Sequence, residues 1–461
     1  MKFDKKRFTK RSDAGPVKGA RRPPRRDDRK VGRDPFTHYQ HRPAASEPQP
    51  EESLEAVESQ DELAGTAESR FTPPAGCPVV HLKSASYGAF IYQRMIGEVD
   101  GEPQDGDFVA VLDKHGRFFG WGFYNSRSQI ALRMFSHDEV LPTEAAIAQR
   151  VAQAVTLRRD VLRLEQTTEA YRLIHAEGDG LSGLVADRFG EYVVIELFSL
   201  AMLRRLEAIQ DAIVDTGLSV RNFVVRADKH VAEQEGFHLP RLSDNKDRNV
   251  TITENGVKIL VQMSRGHKTG FFCDQRDNRL AVTAFTPGRH VLDVCCYTGG
   301  FSCYAATRGQ AASVTAVDLD EHALAAARQN AQLNGAAIDF HHADAFDFLR
   351  QAARAGQQYD VVIVDPSKFV PRRDLMEVGL KKYADLNRLA AGVTAPGGIL
   401  LTCSCSGLVD QATFVQTLSR AMRSAGRSMQ IFRITGAGAD HPILADVPEA
   451  AYLKAVWARL L

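Results

Sequence analysis

The stretch VLDVCCYTGGFS, residues 291–302, decides how the C-terminal half of this 461-residue chain is read. An apolar run reaches an acid at Asp293. A turn follows at Thr298-Gly299-Gly300, and a new apolar segment begins. This is the pattern of a buried strand that passes into a helix. Glycines at such a junction let the backbone approach a ligand closely before the helix starts.

Outward from this point the same unit repeats. HVLDVCC, VTAVDLD, IDFHHAD, YDVVIVD and GILLTCS read as strands, with helical stretches such as EHALAAARQNAQLNG between them. Alternation of this kind predicts a parallel doubly wound sheet. MQIFRITG and AYLKAVWARLL predict two further strands at the sheet edge, seven in all. In such sheets ligands bind beyond the carboxyl ends of the strands.

Those ends carry acids: Asp293, then Asp318 25 residues later, Asp344 and Asp365. Asp318 is placed to accept hydrogen bonds from ribose hydroxyls. There is no G-x-G-x-x-G, which disfavours a dinucleotide, and no P-loop lysine, which disfavours a nucleoside triphosphate. S-adenosylmethionine, a nucleoside with little phosphate charge, fits best. Gly299 and Gly300 alone could merely shape a turn; acids at successive strand ends weigh against that.

The rest of the chain divides by composition. The net charge of +1 hides a segregation: residues 1–42 hold 15 Lys/Arg against 5 Asp/Glu, and residues 47–69 hold 8 acids and no base. Residues 1–76 lack an apolar period and are expected to be a disordered basic-then-acidic tail, a solubilising segment or a screen for RNA phosphates. Short strand-like runs from Val79 to about Ser136 predict a small β-domain over 77–150. TEAAIAQRVAQAVTLRRDVLRL (143–164) predicts a helix capped by Thr143. Residues 151–264 alternate strand, hairpin and helix, with a tight turn at Asn255-Gly256, as a central α+β domain. The doubly wound domain then occupies 265–461. No apolar run approaches the ~20 residues that span a bilayer, and MKFDKKRFTKRSDAG lacks the apolar core of a secretory signal, so no membrane partner and a cytoplasmic setting are expected.

Seven cysteines include two in LLTCSCSG (400–407), Cys403 and Cys405. Their spacing is too short for a zinc knuckle and would strain a disulfide, and no metal is expected. That leaves a structural thiol or a nucleophile. The structural reading suits Cys295, Cys296 and Cys303; Cys273 has no assigned role and Cys77 is incidental. His267 and His441 lie in motif-like segments, where a lone His is more often structural. Asp440-His441-Pro442 precedes the last strands and could close over a target pocket.

DVCCYTGGFS, VDLDEHAL, NAQLNG, DAFDFL and VDPSKF, in this order, resemble the motifs of class I S-adenosylmethionine-dependent methyltransferases. More narrowly, GHKTGFFCDQRDNR (266–279), EGDGLSGLVADRFG (177–190), LLTCSCSG and DHPILADVPEAAYLK (440–454) resemble the 23S ribosomal RNA cytosine-C5 methyltransferase family. The resemblance runs from about Val79 to the end. It implies a PUA-like RNA-binding domain, a central α+β domain and a Rossmann-like seven-stranded methyltransferase domain. By resemblance Asp293, Tyr297, Thr298, Gly299 and Phe301 line the methionine part of the cofactor. Asp318 takes the ribose and Asp344 lies near the adenine amine. Gln275 and Arg276 reach in from the preceding segment, and Asp365 faces both cofactor and base. Two departures stand out. Ser367 replaces a proline in the family's Asp-Pro-Pro-Lys-Phe, and SYGAFIYQRMIG (86–97) replaces a Gly-His-Pro-Trp-like run.

The implied chemistry needs a thiolate. Its addition to cytosine C6 makes C5 nucleophilic, a case of covalent catalysis. Asp365 is the candidate to share a proton with N3, and Lys368 to hold a phosphate or lower the thiol pKa. Strand alternation places Cys403 and Cys405 on one side, so geometry leaves both open. Resemblance favours Cys405, in Ser-Cys-Ser-Gly. Cys403 matches the Thr-Cys-Ser of other RNA cytosine methyltransferases. The expected partner is 23S ribosomal RNA or a large-subunit particle, with a homodimer left open. A ribosomal RNA guanine methyltransferase of the same fold, or a non-catalytic assembly factor, is the alternative.

Overall fold

The computed structural model describes residues 71–84, 88–239, 249–263 and 270–461. The expected tail up to residue 70 lies outside these residues, as does His267. Just before residue 77 the chain already packs: the Phe71 ring lies 4.2 Å from that of Phe118 and 5.9 Å from that of Trp121.

Six strands form the first sheet, in the order Phe90–Tyr92, Ile130–Ser136, Phe118–Tyr124, Phe108–Leu112, Val79–Leu82, Ile96–Asp100. Only the pair Val79–Leu82 with Phe108–Leu112 is parallel. Val80, Ile91, Val109, Val111 and Leu132 are its sealed core.

The helix Glu144–Thr156 starts one residue after Thr143, whose side chain makes no capping bond. It runs through the expected 150/151 border. Ile147, Val151, Ala154 and Val155 on its inner face join Leu173, Ile195 and Ile209 in the central core. The central sheet has the order Asn222–Arg226, Tyr192–Leu197, Leu184–Phe189, Ala170–His175. A hairpin of Asn249–Glu254 and Val257–Gln262 turns through Asn255 (φ 48°) and Gly256 (φ 81°), the left-handed pair a two-residue hairpin favours. Its Ile252 and Ile259 share a core with Phe189 on one side and Tyr304 on the other, so the hairpin is mortar between two domains.

The C-terminal sheet has seven strands: β1 (His290–Val294), β2 (Ser313–Asp318), β3 (Asp339–His342), β4 (Tyr359–Val364), β5 (Thr394–Ser404), β6 (Met429–Thr435) and β7 (Lys454–Leu460). Their order is β3-β2-β1-β4-β5-β7-β6. Strands β1 to β5 pair in parallel. Helices α1 (Gly300–Ala306), α2 (Glu321–Leu333), α3 (Ala345–Arg354), α4 (Met376–Val393) and α5 (Gln411–Ser424) make the crossovers and flanks. Leu292, Val294, Val362, Val364 and Leu400 pack on one face and Val291, Val361, Ile363, Ile399 and Leu401 on the other. Burial on both faces is why these strands read as unbroken apolar runs.

One expectation is corrected here. Of the two last strands only β6 is at the edge. β7 inserts between β5 and β6, antiparallel to both. Its Val456, Trp457 and Ala458 are fully buried. No helix among the described residues is long and apolar enough to cross a membrane.

Candidate active site

Between β1 and α1 the backbone turns left-handed at alternate residues: Cys295 (φ 63°), Tyr297 (φ 51°) and Gly299 (φ 76°). Such conformations cost non-glycine residues about 1–3 kcal/mol each and persist only where the surroundings hold them. Here the Cys296 amide bonds Val317 O at 3.0 Å, and the Tyr297 amide bonds Asp318 Oδ2 at 2.7 Å. Asn330 Nδ2 bonds Thr298 O at 2.9 Å, and Phe272 stands edge-on to the Tyr297 ring at 5.0 Å. A side chain at Gly299 would meet Ala327 Cβ at 3.1 Å, so loop and α2 touch without a spacer.

Asp293 is fully buried. Its Oδ2 accepts from Ser302 Oγ at 2.5 Å, and its Oδ1 has no hydrogen-bond partner among the described residues. Burial pushes its pKa up to about 7, against the Ser302 bonds. A buried carboxylate oxygen left open is suited to a cationic ligand group. Asp318 spends one oxygen on the Tyr297 amide and the other on the Asp320 amide at 2.9 Å. Burial raises its pKa as well. Asp344 caps α3, accepting from the amides of Phe346 and Asp347. Thr298 and Phe301 are buried in the same turn. The loop, the open carboxylate of Asp293 and the second acid, Asp318, thus fit a nucleoside carrying an amino acid.

A second group comes from the segment before β1. Gln275 Nε2 donates to Asp365 Oδ2 at 3.0 Å, and its Oε1 accepts from Asn278 Nδ2 at 2.7 Å. Asn278 Oδ1 accepts from Thr435 Oγ1, which accepts from Trp457 Nε1. A side-chain relay therefore fixes Asp365 at the end of β4. Arg276, expected at the cofactor, directs both terminal nitrogens to Asp440 at 3.0 Å, and both side chains are buried.

Asp440 is a hub. It also accepts from the Arg172 amide at 2.8 Å and bonds His441 Nδ1 at 3.0 Å, while its carbonyl accepts from Arg158 at 2.7 Å. Burial opposes its ionisation, but His441 and Arg276 overcome this and hold it well below the usual carboxylate range. The segment expected to cover the target pocket thus clasps the central domain. A side chain at Gly178 would land 2.0 Å from Pro442 O.

The two sulfurs separate. Cys403 is 0% exposed in the core, where burial pushes its thiol well above the ordinary value. Pairing with β7 ends at Ser404, and Cys405 is the first residue past the strand. It is half-buried, its Sγ 3.9 Å from Pro366 O, beside Asp365. Ser406 fixes the turn, its Oγ accepting from the Val370 amide and meeting Tyr383 Oη at 2.9 Å. Lys368 lies in the same neighbourhood, close enough for its charge to act on Lys454.

Sequence reasoning missed Asp440's partners, Lys454 and Arg226. The last ends a central strand within electrostatic reach of Tyr297. A lysine inside AYLKAVW was the one local signal, a charge in an apolar strand.

Fold and site together define a nucleoside-binding transferase of the doubly wound class. Residues 146–459 match the family model of S-adenosylmethionine-dependent methyltransferases, and residues 89–137 match a PUA-like domain. The "Ribosomal RNA large subunit methyltransferase I" of Aeromonas salmonicida is 38% identical over 376 residues, 80% of this chain and 94% of that protein. The Photobacterium profundum protein of the same name is 37% identical over 375 residues, 79% and 93%. A Streptococcus mutans chain assigned to the SAM-dependent methyltransferases superposes with a TM-score of 0.70 at 19% identity, covering 83% of this chain and 99% of its own. That likeness carries the fold alone. The chain belongs to the S-adenosylmethionine-dependent methyltransferases, in the family of ribosomal RNA large subunit methyltransferase I.

Proposed function

We propose that this protein methylates C5 of one cytosine in 23S ribosomal RNA, in the cytoplasm, through a transient bond between Cys405 and C6 of the base. The observation that carries this is the pairing of a half-buried thiol at the end of β5 with the Asp365-Pro366 turn at the end of β4. S-adenosylmethionine supplies an electrophilic methyl group. Asp293, Tyr297, Thr298, Gly299 and Phe301 hold its methionine end, Asp318 its ribose, and Asp344 stands towards the adenine. Gln275 orients Asp365, which shares a proton with N3 as Cys405 adds. Arg276 acts at one remove, anchoring this segment through Asp440. The target base leaves its stack to reach the thiol, and the PUA-like and central domains grip the RNA by shape and phosphates.

The test is mass spectrometry of ribosomal RNA nucleosides from a strain lacking the protein. Loss of 5-methylcytosine at one site is expected. An unchanged 5-methylcytosine level with a missing methylguanosine would point to a guanine enzyme, and no change at all to an assembly factor.

A further inference from the structure

β7 alone of the seven strands begins at the edge of the sheet where β1 to β5 end, because it alone runs against them. Its first residue, Lys454, therefore stands across from Ser404, the last residue of β5. The lysine is 5% exposed. Its Nζ donates to Ser406 O at 2.7 Å and to Tyr452 O at 2.8 Å. Lys454 thus brackets Cys405, being paired in register with the residue before it and hydrogen-bonded to the residue after it.

A buried lysine charge is costly unless it is paired and hydrogen-bonded. Two carbonyls satisfy two N–H groups, which is all a neutral amine has; an ammonium carries a third. The charged groups that act on it are Cys405, Asp410 and Lys368, with Tyr383 one hydrogen bond further on through Ser406. Burial pushes its pKa down to about 8, against the pull of Cys405 and Asp410 and with the repulsion of Lys368. A thiolate next to an ammonium is stabilised, and nearby Lys or Arg is a known cause of an acidic thiol.

We infer that Lys454 is the positioning residue that keeps Cys405 ionised, the two side chains sharing one proton that resides on Nζ. The S–H bond breaks and an N–H bond forms, and the pair's net charge does not change. After a base takes the C5 proton, the C5=C6 double bond re-forms, the C6–S bond breaks, and the sulfur returns as thiolate to the same ammonium. This assignment rests on Cys405 being the nucleophile.

The test is the pH dependence of iodoacetamide alkylation at Cys405 in the full chain, read by peptide mass spectrometry so that the other cysteines do not interfere. In the wild-type protein the midpoint should lie below the ordinary thiol value of about 8.5. K454M should raise the midpoint, slowing alkylation at neutral pH by about tenfold or more and restoring it at alkaline pH, as one pKa unit or more demands. Methyl transfer should shift its pH profile the same way. A merely structural lysine would lower activity at every pH without moving the midpoint. An ordinary midpoint in the wild-type protein, which needs no variant to fold, overturns the assignment. So does an unmoved midpoint in folded K454M, or in K454Q should K454M not fold. Turnover retained by C405A would instead overturn Cys405 as the nucleophile, the reading on which this assignment rests.

Discussion

Gln275 donates its amide N–H to Asp365 at 3.0 Å across 90 residues of sequence, and Asn278 holds the other end of the same amide at 2.7 Å. The bond sets the carboxylate at the end of β4. Replacing Gln275 by Leu removes both bonds while keeping the volume. Methyl transfer should then fall by about 10–100-fold, the usual loss when a group that orients a catalytic side chain is removed. Cofactor affinity, measured by calorimetry, should change far less than kcat. Equal losses in both would place Gln275 on the cofactor instead.

The paired cysteines should part company on mutation. C405A should have no measurable turnover. C403A should keep most of its activity but lose about 1–2 kcal/mol of stability, the scale for a small cavity in a sealed core. Denaturant melts and radiolabelled methyl transfer on the same two variants separate the sulfurs.

Asp293 makes the protein sensitive to pH. Its folded-state pKa is pushed up to about 7, above the roughly 3.9 of an unfolded aspartate. The folded state therefore holds the proton more tightly. The stability this confers is complete below the unfolded value and is lost as pH rises through the folded one. Thermal melts of the cofactor-free protein should fall between about pH 4 and 7 from this group, and D293N should flatten that slope. A cationic amino group beside Asp293 would lower its pKa again. Binding of S-adenosylmethionine near pH 6 should then release protons, seen as a calorimetric enthalpy that varies with buffer ionisation. D293N should abolish that dependence.

The Asp440 hub should be costly to break. Removing one partner of a buried ion pair typically destabilises by about 3–5 kcal/mol. D440A should reach this range in chemical unfolding, because it strands Arg276 and frees the Arg172 amide together. G178A, which forces Cβ against Pro442 O, should loosen the same seam by a different route. Limited proteolysis near residue 440 should speed up in both.

The central strands were legible because burial on both faces leaves unbroken apolar runs, and acids stand at or just past the ends of β1 to β4. Asp293 and Asp318 stand at strand ends, as their patterns implied. The Asn255-Gly256 hairpin was equally plain, since a left-handed pair admits few residues. What local pattern could not reveal was tertiary. The place of β7 depends on a register chosen between strands distant in sequence. Cys403 and Cys405 share a face only while the strand lasts, and it ends at Ser404. Arg276 was placed at the cofactor by resemblance, and the carboxylate that both its terminal nitrogens meet lies 164 residues away, beyond the reach of any local pattern. Lys454 announced itself only as an oddity in an apolar run.

That carboxylate has a consequence for how the molecule is made. Asp440 trails Arg172 by 268 residues and Arg158 by 282. Domains fold largely in order as the chain emerges. The guanidinium groups of Arg158 and Arg172 find Asp179 and Asp187 inside the central domain, so that domain completes its own ion pairs first. What waits for Asp440 is the Arg172 amide, one further bond from Arg158 and both terminal nitrogens of Arg276, so the seam between the domains closes only when synthesis is almost finished.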